Sequence, residues 1–143
     1  MNTLILTVGL PRSGKSTWAN SQLIPRVNPD AIRLAIHGQA YRRECEHLVW
    51  ALARTMVDSL FLAGHEEVIL DATNGSKARR REWKSDMWTR TYMVFDTPVQ
   101  ECIRRAVEGG RDYLCPVIER MAADWEPLEE DELDDPREVL VSR

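Results

Sequence analysis

The chain has 143 residues and a formal net charge of −4, which fits one domain with a substantial core. No apolar run reaches about 18 residues, and no basic segment with a cleavage site comes first, so we expect neither a membrane span nor a signal peptide. Three scattered cysteines without a C-x-x-C pair favour reduced thiols in the cytoplasm (of the host, if the protein is viral), and three histidines without metal-ligand spacing argue against a zinc site.

Apolar runs alternate with amphipathic segments along the chain. We predict strands at 4–8, 26–28, 67–71, 91–95 and 138–141, and helices at 15–24, 29–36, 41–63, 77–88, 98–106 and 116–123. This alternation predicts a single α/β domain over 1–143, with three layers and a central parallel sheet of four or five strands. Ligands of such sheets bind beyond the carboxyl ends of the strands. Residues 9–17, Asp30, 71–74 and the segment after Phe95 should therefore meet in one cleft.

The first predicted strand leads into a phosphate-binding loop. Gly9 is followed by four residues and then by Gly14, Lys15 and Ser16, which is the pattern G-x-x-x-x-G-K-[ST] between a strand and a helix. Backbone N–H groups cradle the phosphates, the lysine reaches the β- and γ-phosphates, and the serine hydroxyl faces Mg²⁺. We expect ATP and Mg²⁺ as cofactors, with the nucleotide contacted by Gly9, Leu10, Pro11, Arg12, Ser13, Gly14, Lys15, Ser16 and Thr17. No motif separates ATP from GTP, and the sequence is silent on oligomeric state.

Two acids follow later strands. Asp30 begins a helix with Arg33 one turn further on, so the pair offers a base for an acceptor hydroxyl and a cation for its phosphate. The alternative is an acid favoured by the helix dipole beside a solvated arginine. Asp71 ends a buried strand, where a carboxylate can contact Ser16 or the metal, although a simple turn also places an aspartate there.

Basic residues cluster in two further places. The helix beginning at Lys77 carries Arg79 and Arg80 in its first turn, where positive charges are repelled by the helix dipole. An anion bound in the cleft would offset this repulsion. The alternative is a solvated basic face. Arg105 and Arg111 flank the loop after the fourth strand, in a predicted lid at about 104–116. A mobile arginine there can cover the γ-phosphate. The alternative is that arginines occur there only because a helix C-terminus favours basic side chains.

Charge is uneven along the chain. Residues 124–143 contain nine acids and two arginines, whereas residues 1–123 have a net charge of +3. The acidic segment 124–138 is most simply a solvated tail, and the apolar residues 139–141 indicate that the chain then returns to the body. Because the body is mildly basic, the net negative charge does not exclude a nucleic-acid partner.

Together these motifs resemble the polynucleotide-kinase-like group of P-loop kinases. The similar stretches are residues 9–19, 28–33, 71–74, 116–121 and 125–127. The resemblance implies that Asp30 is the general base and that Arg33 holds the acceptor phosphate. It also implies metal binding by Ser16 and Asp71, an acceptor site formed by Thr73, Asn74, Arg79 and Arg80, and catalysis by Lys15, Asp30, Arg33 and Arg105. One departure is that the second lid arginine of the group, four residues after the first, is Gly109 here; Arg111 is the nearest substitute.

The resemblance predicts an ATP-dependent kinase acting on a hydroxyl of a nucleic acid, DNA or RNA, most simply a 5′-hydroxyl. Three alternatives remain: a kinase for hydroxymethyluracil within DNA, a small-molecule or nucleoside kinase, and a nucleotide-binding switch or ATPase without an acceptor. The acid–arginine pair disfavours the switch, because a switch needs a residue that orients water. No membrane partner is expected.

Overall fold

The computed structural model describes residues 1–39, 41–135, 137 and 139–142. The strands are β1 (Thr3–Val8), β2 (Arg26–Val27), β3 (Glu67–Leu70), β4 (Thr89–Phe95) and β5 (Val139–Ser142). The α-helices are α1 (Lys15–Ser21), α2 (Pro29–His37), α3 (Glu46–Leu62), α4 (Lys77–Glu82), α5 (Val99–Glu108) and α6 (Cys115–Ala123). Within these ranges, no helix has the length and apolar character needed to cross a membrane.

The strands form one sheet in the order β2-β3-β1-β4-β5, and every neighbouring pair is parallel. β1 lies in the middle, where Leu4 is paired with Val68 on one side and with Arg90 on the other. The phosphate loop therefore leaves the centre of the sheet at its carboxyl edge. The predicted α/β fold with a parallel sheet of four or five strands is confirmed.

Alternate residues of β1 pack on the two faces of the sheet. Leu4 and Leu6 belong to the larger core with Val49, Ala53 and Val57 of α3. Ile5 belongs to a second cluster, which includes Ala19 of α1 and Phe95. Helices thus cover both faces, which is why β1 is a nearly continuous apolar run.

Helix α4 is shorter than predicted because two tryptophans end it. The helix stops at Glu82, and Trp83 and Trp88 are both buried. The indole N–H of Trp88 donates to the carbonyl of Trp83 at 2.8 Å, and Ser85 forms a bridge with Trp88. This turn allows β4 to begin at Thr89, two residues earlier than the sequence predicted. The predicted helix 77–88 was therefore too long.

The acidic segment is not the solvated tail that the sequence suggested. Its carboxylates pair with basic side chains of the body, Glu129 with Lys77 at 3.0 Å and Glu132 with Arg80 at 2.8 Å. Asp134 accepts three hydrogen bonds from Arg90 of β4, at 2.8–3.0 Å. The described part of the segment, up to residue 135, is therefore bound to the body through ion pairs before β5 joins the sheet.

Candidate phosphoryl-transfer site

The phosphate loop connects β1 to α1 in a strained, closely packed conformation. Arg12 has φ 68° and Gly14 has φ 106°, so both lie in the left-handed region that turns N–H groups inward. A Cβ at Gly9 would lie 2.6 Å from Ser13 Oγ and 2.9 Å from the Cβ of Phe95. The loop therefore needs glycine at both positions of the motif.

Lys15 is buried beneath the loop, with 8% of its surface exposed. Its Nζ donates to the carbonyl of Leu10 at 2.6 Å. Burial lowers the pKa of Lys15 to about 8, although the nearby carboxylate of Asp71 opposes this change. A weakly solvated cation at this position is suited to binding phosphate oxygens.

Ser16 and Asp71 meet at the end of β3, as the sequence predicted. The Ser16 hydroxyl donates to Asp71 Oδ2 at 3.0 Å. The same oxygen accepts from the amide of Asn28 at 3.1 Å and lies 3.6 Å from the guanidinium of Arg26. A hydroxyl and a buried carboxylate are hard oxygen ligands, so this pair fits Mg²⁺ chemically.

Asn28 connects this metal-side carboxylate to the predicted acceptor site. Its side-chain oxygen accepts from the backbone N–H of Asp30 at 2.8 Å and so caps α2. Its amide nitrogen is the donor to Asp71 described above. One side chain thus fixes the start of α2 relative to the end of β3.

Asp30 and Arg33 form the expected pair, and the structure adds Glu46 to it. Arg33 Nη1 lies 2.5 Å from Asp30 Oδ1, while its Nε and Nη2 donate to both oxygens of Glu46 at 2.9 and 2.7 Å. The Asp30 side chain is 75% exposed. Burial acts to lower the pKa of Arg33, but the hydrogen bonds from Glu46 and Asp30 raise it above its ordinary value. Glu46 belongs to no sequence motif, and only its place at the start of α3 could have indicated that it contacts Arg33.

Thr73 and Asn74 follow the carboxyl end of β3, next to the start of the phosphate loop. The carbonyl of Thr73 accepts from Gly9 N at 3.1 Å, and the Asn74 amide donates to the carbonyl of Thr7 at 2.7 Å. Asn74 has φ 46° and is 1% exposed. Both residues therefore tie the end of β3 to the end of β1.

The predicted acceptor role of Arg80 must be corrected. Arg80 is 0% exposed, and its guanidinium donates to Glu132 and to the carbonyl of Asn74. The chain's own acidic segment neutralises this guanidinium, so no acceptor anion is needed to explain its position. Arg79 instead lies over the ring of Trp50, 3.8 Å from the centroid, and pairs with Glu82.

The predicted lid starts later than expected because α5 continues to Glu108. Arg105 is therefore a helical residue whose Nη1 donates to the carbonyl of Arg12 at 3.2 Å. Arg12 Nη2 donates in return to the carbonyl of Arg105. A Cβ at Gly109 would lie 2.7 Å from Arg12 Nη2. Arg111 donates to the Tyr113 hydroxyl instead.

A cleft of about 690 Å³ opens beside the phosphate loop. Four residues on its wall were not among the predicted site residues, namely Trp18, Ser21, Phe95 and Ser142, whereas Thr97 belongs to the predicted segment after Phe95. Thr97 supports the loop, because its hydroxyl donates to the carbonyl of Ser13 at 2.8 Å. Arg12 and Arg105 also line the cleft, whereas Asp30 and Asp71 do not. The predicted convergence thus holds for the loop and the segment after Phe95, and Asp30 is joined to them through Asn28 and Asp71.

A family model described as an AAA domain matches residues 4–126. The chain belongs to this family. It is also similar to a structure of a Pnkp1/Rnl/Hen1 complex, with 31% identity and a TM-score of 0.65 over 73% of this chain and 38% of that chain. The resemblance to polynucleotide-kinase-like P-loop proteins is thereby confirmed.

Two further solved structures share the fold. A Pnkp1/Rnl/Hen1 RNA repair complex has 23% identity and a TM-score of 0.65, over 87% of this chain and 46% of that chain. A gluconokinase from Sinorhizobium meliloti 1021 has 16% identity and a TM-score of 0.58, over 97% and 81%. The chain spans less than half the length of the two Pnkp1/Rnl/Hen1 chains. The family and these kinase-fold neighbours support a phosphotransferase that binds an ATP-type nucleotide.

Proposed function

We propose that this protein transfers the γ-phosphate of ATP to a hydroxyl of a nucleic acid, most simply a 5′-hydroxyl. The observation that carries the proposal is the Asp30–Arg33–Glu46 cluster, joined through Asn28 to the Ser16–Asp71 pair. An exposed carboxylate next to a fixed guanidinium suits an acceptor that brings both a hydroxyl and a phosphate. The repair complex similar to this chain agrees with a nucleic-acid acceptor.

In this mechanism the phosphate loop and Lys15 hold the phosphates of the donor. Ser16 and Asp71 would hold Mg²⁺, which supplies charge neutralisation at the β- and γ-phosphates when bound. Asp30 accepts the proton of the attacking hydroxyl while the O–P bond to the acceptor forms and the bond to ADP breaks. The electron pair of the broken P–O bond leaves with ADP, and the transferred phosphoryl group keeps the negative charge of its oxygens.

Arg33 positions the acceptor without leaving its carboxylate partners. A guanidinium has five N–H groups, and the contacts to Glu46 and Asp30 use three of them. The other two can bind a phosphate oxygen of the acceptor. Glu46 fixes the plane of the guanidinium, which reduces the side-chain entropy lost when the acceptor binds.

Arg105 and Arg12 are the cations that we assign to the transferring phosphoryl group. Both line the cleft, and each guanidinium donates to the backbone carbonyl of the other residue. The Arg12 guanidinium lies against Gly109, where the polynucleotide-kinase-like pattern has its second lid arginine. We therefore propose Arg12, and not Arg111, as the substitute for that arginine.

The test is transfer of labelled γ-phosphate to 5′-hydroxyl DNA and RNA, hydroxymethyluracil DNA, nucleosides and gluconate. We expect label at 5′ ends and a loss of about 10²-fold or more in kcat for Asp30→Asn. Asp124→Asn, an exposed acid that follows α6, is the matched control and should keep wild-type activity. Label on internal bases, or only on a small molecule, would show that the acceptor is not a 5′-hydroxyl of a nucleic acid. Acceptor-independent ATP hydrolysis that is unaffected by Asp30→Asn would exclude a kinase.

A further inference from the structure

A second, smaller cleft lies between α3 and α4. It measures about 200 Å³ and is lined by Trp50, Arg54, Glu82 and Trp83. Together with Arg79, which lies on Trp50, these residues form what we call the tryptophan–arginine cleft. Arg54 lies over the ring of Trp83 at 5.8 Å and over that of Trp88 at 4.7 Å. The resemblance implied Arg79 for the acceptor site, but the phosphoryl-transfer site described above uses none of the other side chains.

The position of this cleft connects it to the acceptor site. Glu46, which holds Arg33, is followed on the same face of α3 by Trp50 and Arg54, because successive residues at i+4 stack along a helix. The rise of an α-helix places Arg54 about 12 Å from Glu46. That length is about two to four nucleotides of a strand. A strand that starts at Arg33 can therefore reach the cleft after a few nucleotides.

The chemistry of the cleft suits nucleotides. Aromatic rings beside arginines bind single strands, because every base has a π-face and every linkage a phosphate. Trp83 is 3% exposed, and its indole N–H has no hydrogen-bond acceptor among the residues that the structure describes. The wall of the cleft therefore contains a buried donor whose missing acceptor costs stability.

The charges around the cleft also favour a strand. The acidic segment neutralises Lys77, Arg80 and Lys84. Arg54 and Arg79 instead pair with exposed acids, Asp58 at 3.7 Å and Glu82 at 2.6 Å. Exposed pairs of this kind contribute little, so both arginines can exchange these acids for a phosphate. Arg54 Nη1 also donates to the carbonyl of Glu82 at 3.2 Å.

We propose that the tryptophan–arginine cleft binds the acceptor strand a few nucleotides away from its reacting hydroxyl. This inference rests on the proposed function, and it specifies a single-stranded polynucleotide as the preferred acceptor over a nucleotide. Arg54 and Arg79 bind phosphates there, and Trp50 offers its ring to a base.

The test compares acceptors of increasing length, a nucleoside 3′-phosphate against 5′-hydroxyl strands of two, four and eight nucleotides. We expect KM to fall with length in the wild type. The variant Arg54→Gln/Arg79→Gln should raise KM for the eight-nucleotide strand about tenfold, leave KM for the nucleoside 3′-phosphate unchanged and leave kcat unchanged. Arg120→Gln, an exposed arginine of α6, is the matched control for lost charge.

A binding measurement separates this inference from the proposed function. Anisotropy of a labelled eight-nucleotide strand, over a range of salt concentrations, should show weaker binding and a shallower salt dependence for the double variant. If the double variant binds the strand more weakly but the wild type transfers phosphate to no nucleic acid, the proposed function is refuted, whereas strand binding by the cleft is supported. Normal transfer to strands with unchanged KM and binding in the double variant would overturn the inference, as would an equal loss with the nucleoside 3′-phosphate. Trp50→Phe, which keeps a ring, should retain most of the length preference.

Discussion

The buried guanidinium of Arg80 makes the stability of the fold depend on one distant carboxylate. Glu132 lies 52 residues later, accepts from Arg80 Nε and Nη2 at 2.8 and 3.1 Å, and has 13% of its side chain exposed. Arg80 itself is 0% exposed. The variant Glu132→Ala would leave a cation in the interior with the carbonyl of Asn74 and, at 3.4 Å, that of Pro127 as its acceptors.

Removing one partner of a buried ion pair costs about 3–5 kcal/mol, and the partial exposure of Glu132 places this pair at the lower end, about 3 kcal/mol. Urea unfolding is the assay. With a slope of about 2 kcal/mol/M, the midpoint should fall by about 1.5 M, and Tm by roughly 6–12 °C. Asp131→Ala, the exposed neighbouring acid, is the control and should stay within about 0.5 kcal/mol of wild type.

The pH dependence follows from the same pair. Burial opposes ionisation of Glu132, but the hydrogen bonds from Arg80 hold its pKa below the ordinary 4.5. A pKa that is lower in the folded state stabilises the fold above the unfolded value, and this stabilisation is lost as pH falls through the folded value. The difference in stability between wild type and Glu132→Gln should therefore shrink on acidification below about pH 4.5.

A urea midpoint of Glu132→Ala within about 0.3 M of wild type, at unchanged slope, would refute the stabilising role of the Arg80–Glu132 pair.

Two further predictions concern the donor side. Asp71→Asn should raise the Mg²⁺ concentration for half-maximal activity about tenfold, because the carboxylate next to Ser16 is lost; an unchanged Mg²⁺ titration would exclude Asp71 from the metal site. Arg12→Gly should lower kcat roughly ten- to a hundredfold, whereas Arg111→Gln should stay near wild type, and the reverse ranking would make Arg111 the second cation. Initial rates with a 5′-hydroxyl strand measure both.

Local patterns were sufficient for the order and type of the helices and strands, though not for the end of α4, and for most of the predicted donor site. The apolar runs predicted β1, β3, β4 and β5, the short segment 26–28 before a helix cap predicted β2, and the spacing from Gly9 to Ser16 predicted the loop between β1 and α1. The contact between Ser16 and Asp71 followed from the rule that parallel strands present their carboxyl ends at one edge. Each of these inferences uses residues that are close in sequence or related by a general rule of sheet topology.

The errors arose where the partner of a side chain lies far along the chain. The basic first turn of α4 suggested an anion site, because nothing local indicates that Glu132 neutralises Arg80. The carboxylate run suggested a solvated tail for the same reason. A comparison of the two stretches could have indicated the pairing, because residues 77–84 carry five basic groups and residues 129–135 carry six acidic ones. Glu46 was missed because a bidentate partner of Arg33 has no sequence signature.

The pairing of Arg80 and Arg90 with the acidic segment has a consequence for folding on the ribosome. When residues up to 123 have emerged, β1 to β4 and α1 to α6 are available, but both guanidiniums still lack Glu132 and Asp134. Synthesis adds residues at about 5–20 per second, so this stage is brief. We expect the nascent domain to remain loosely packed around α4 until the acidic segment emerges, and pauses in translation before residue 132 to increase its exposure to proteases.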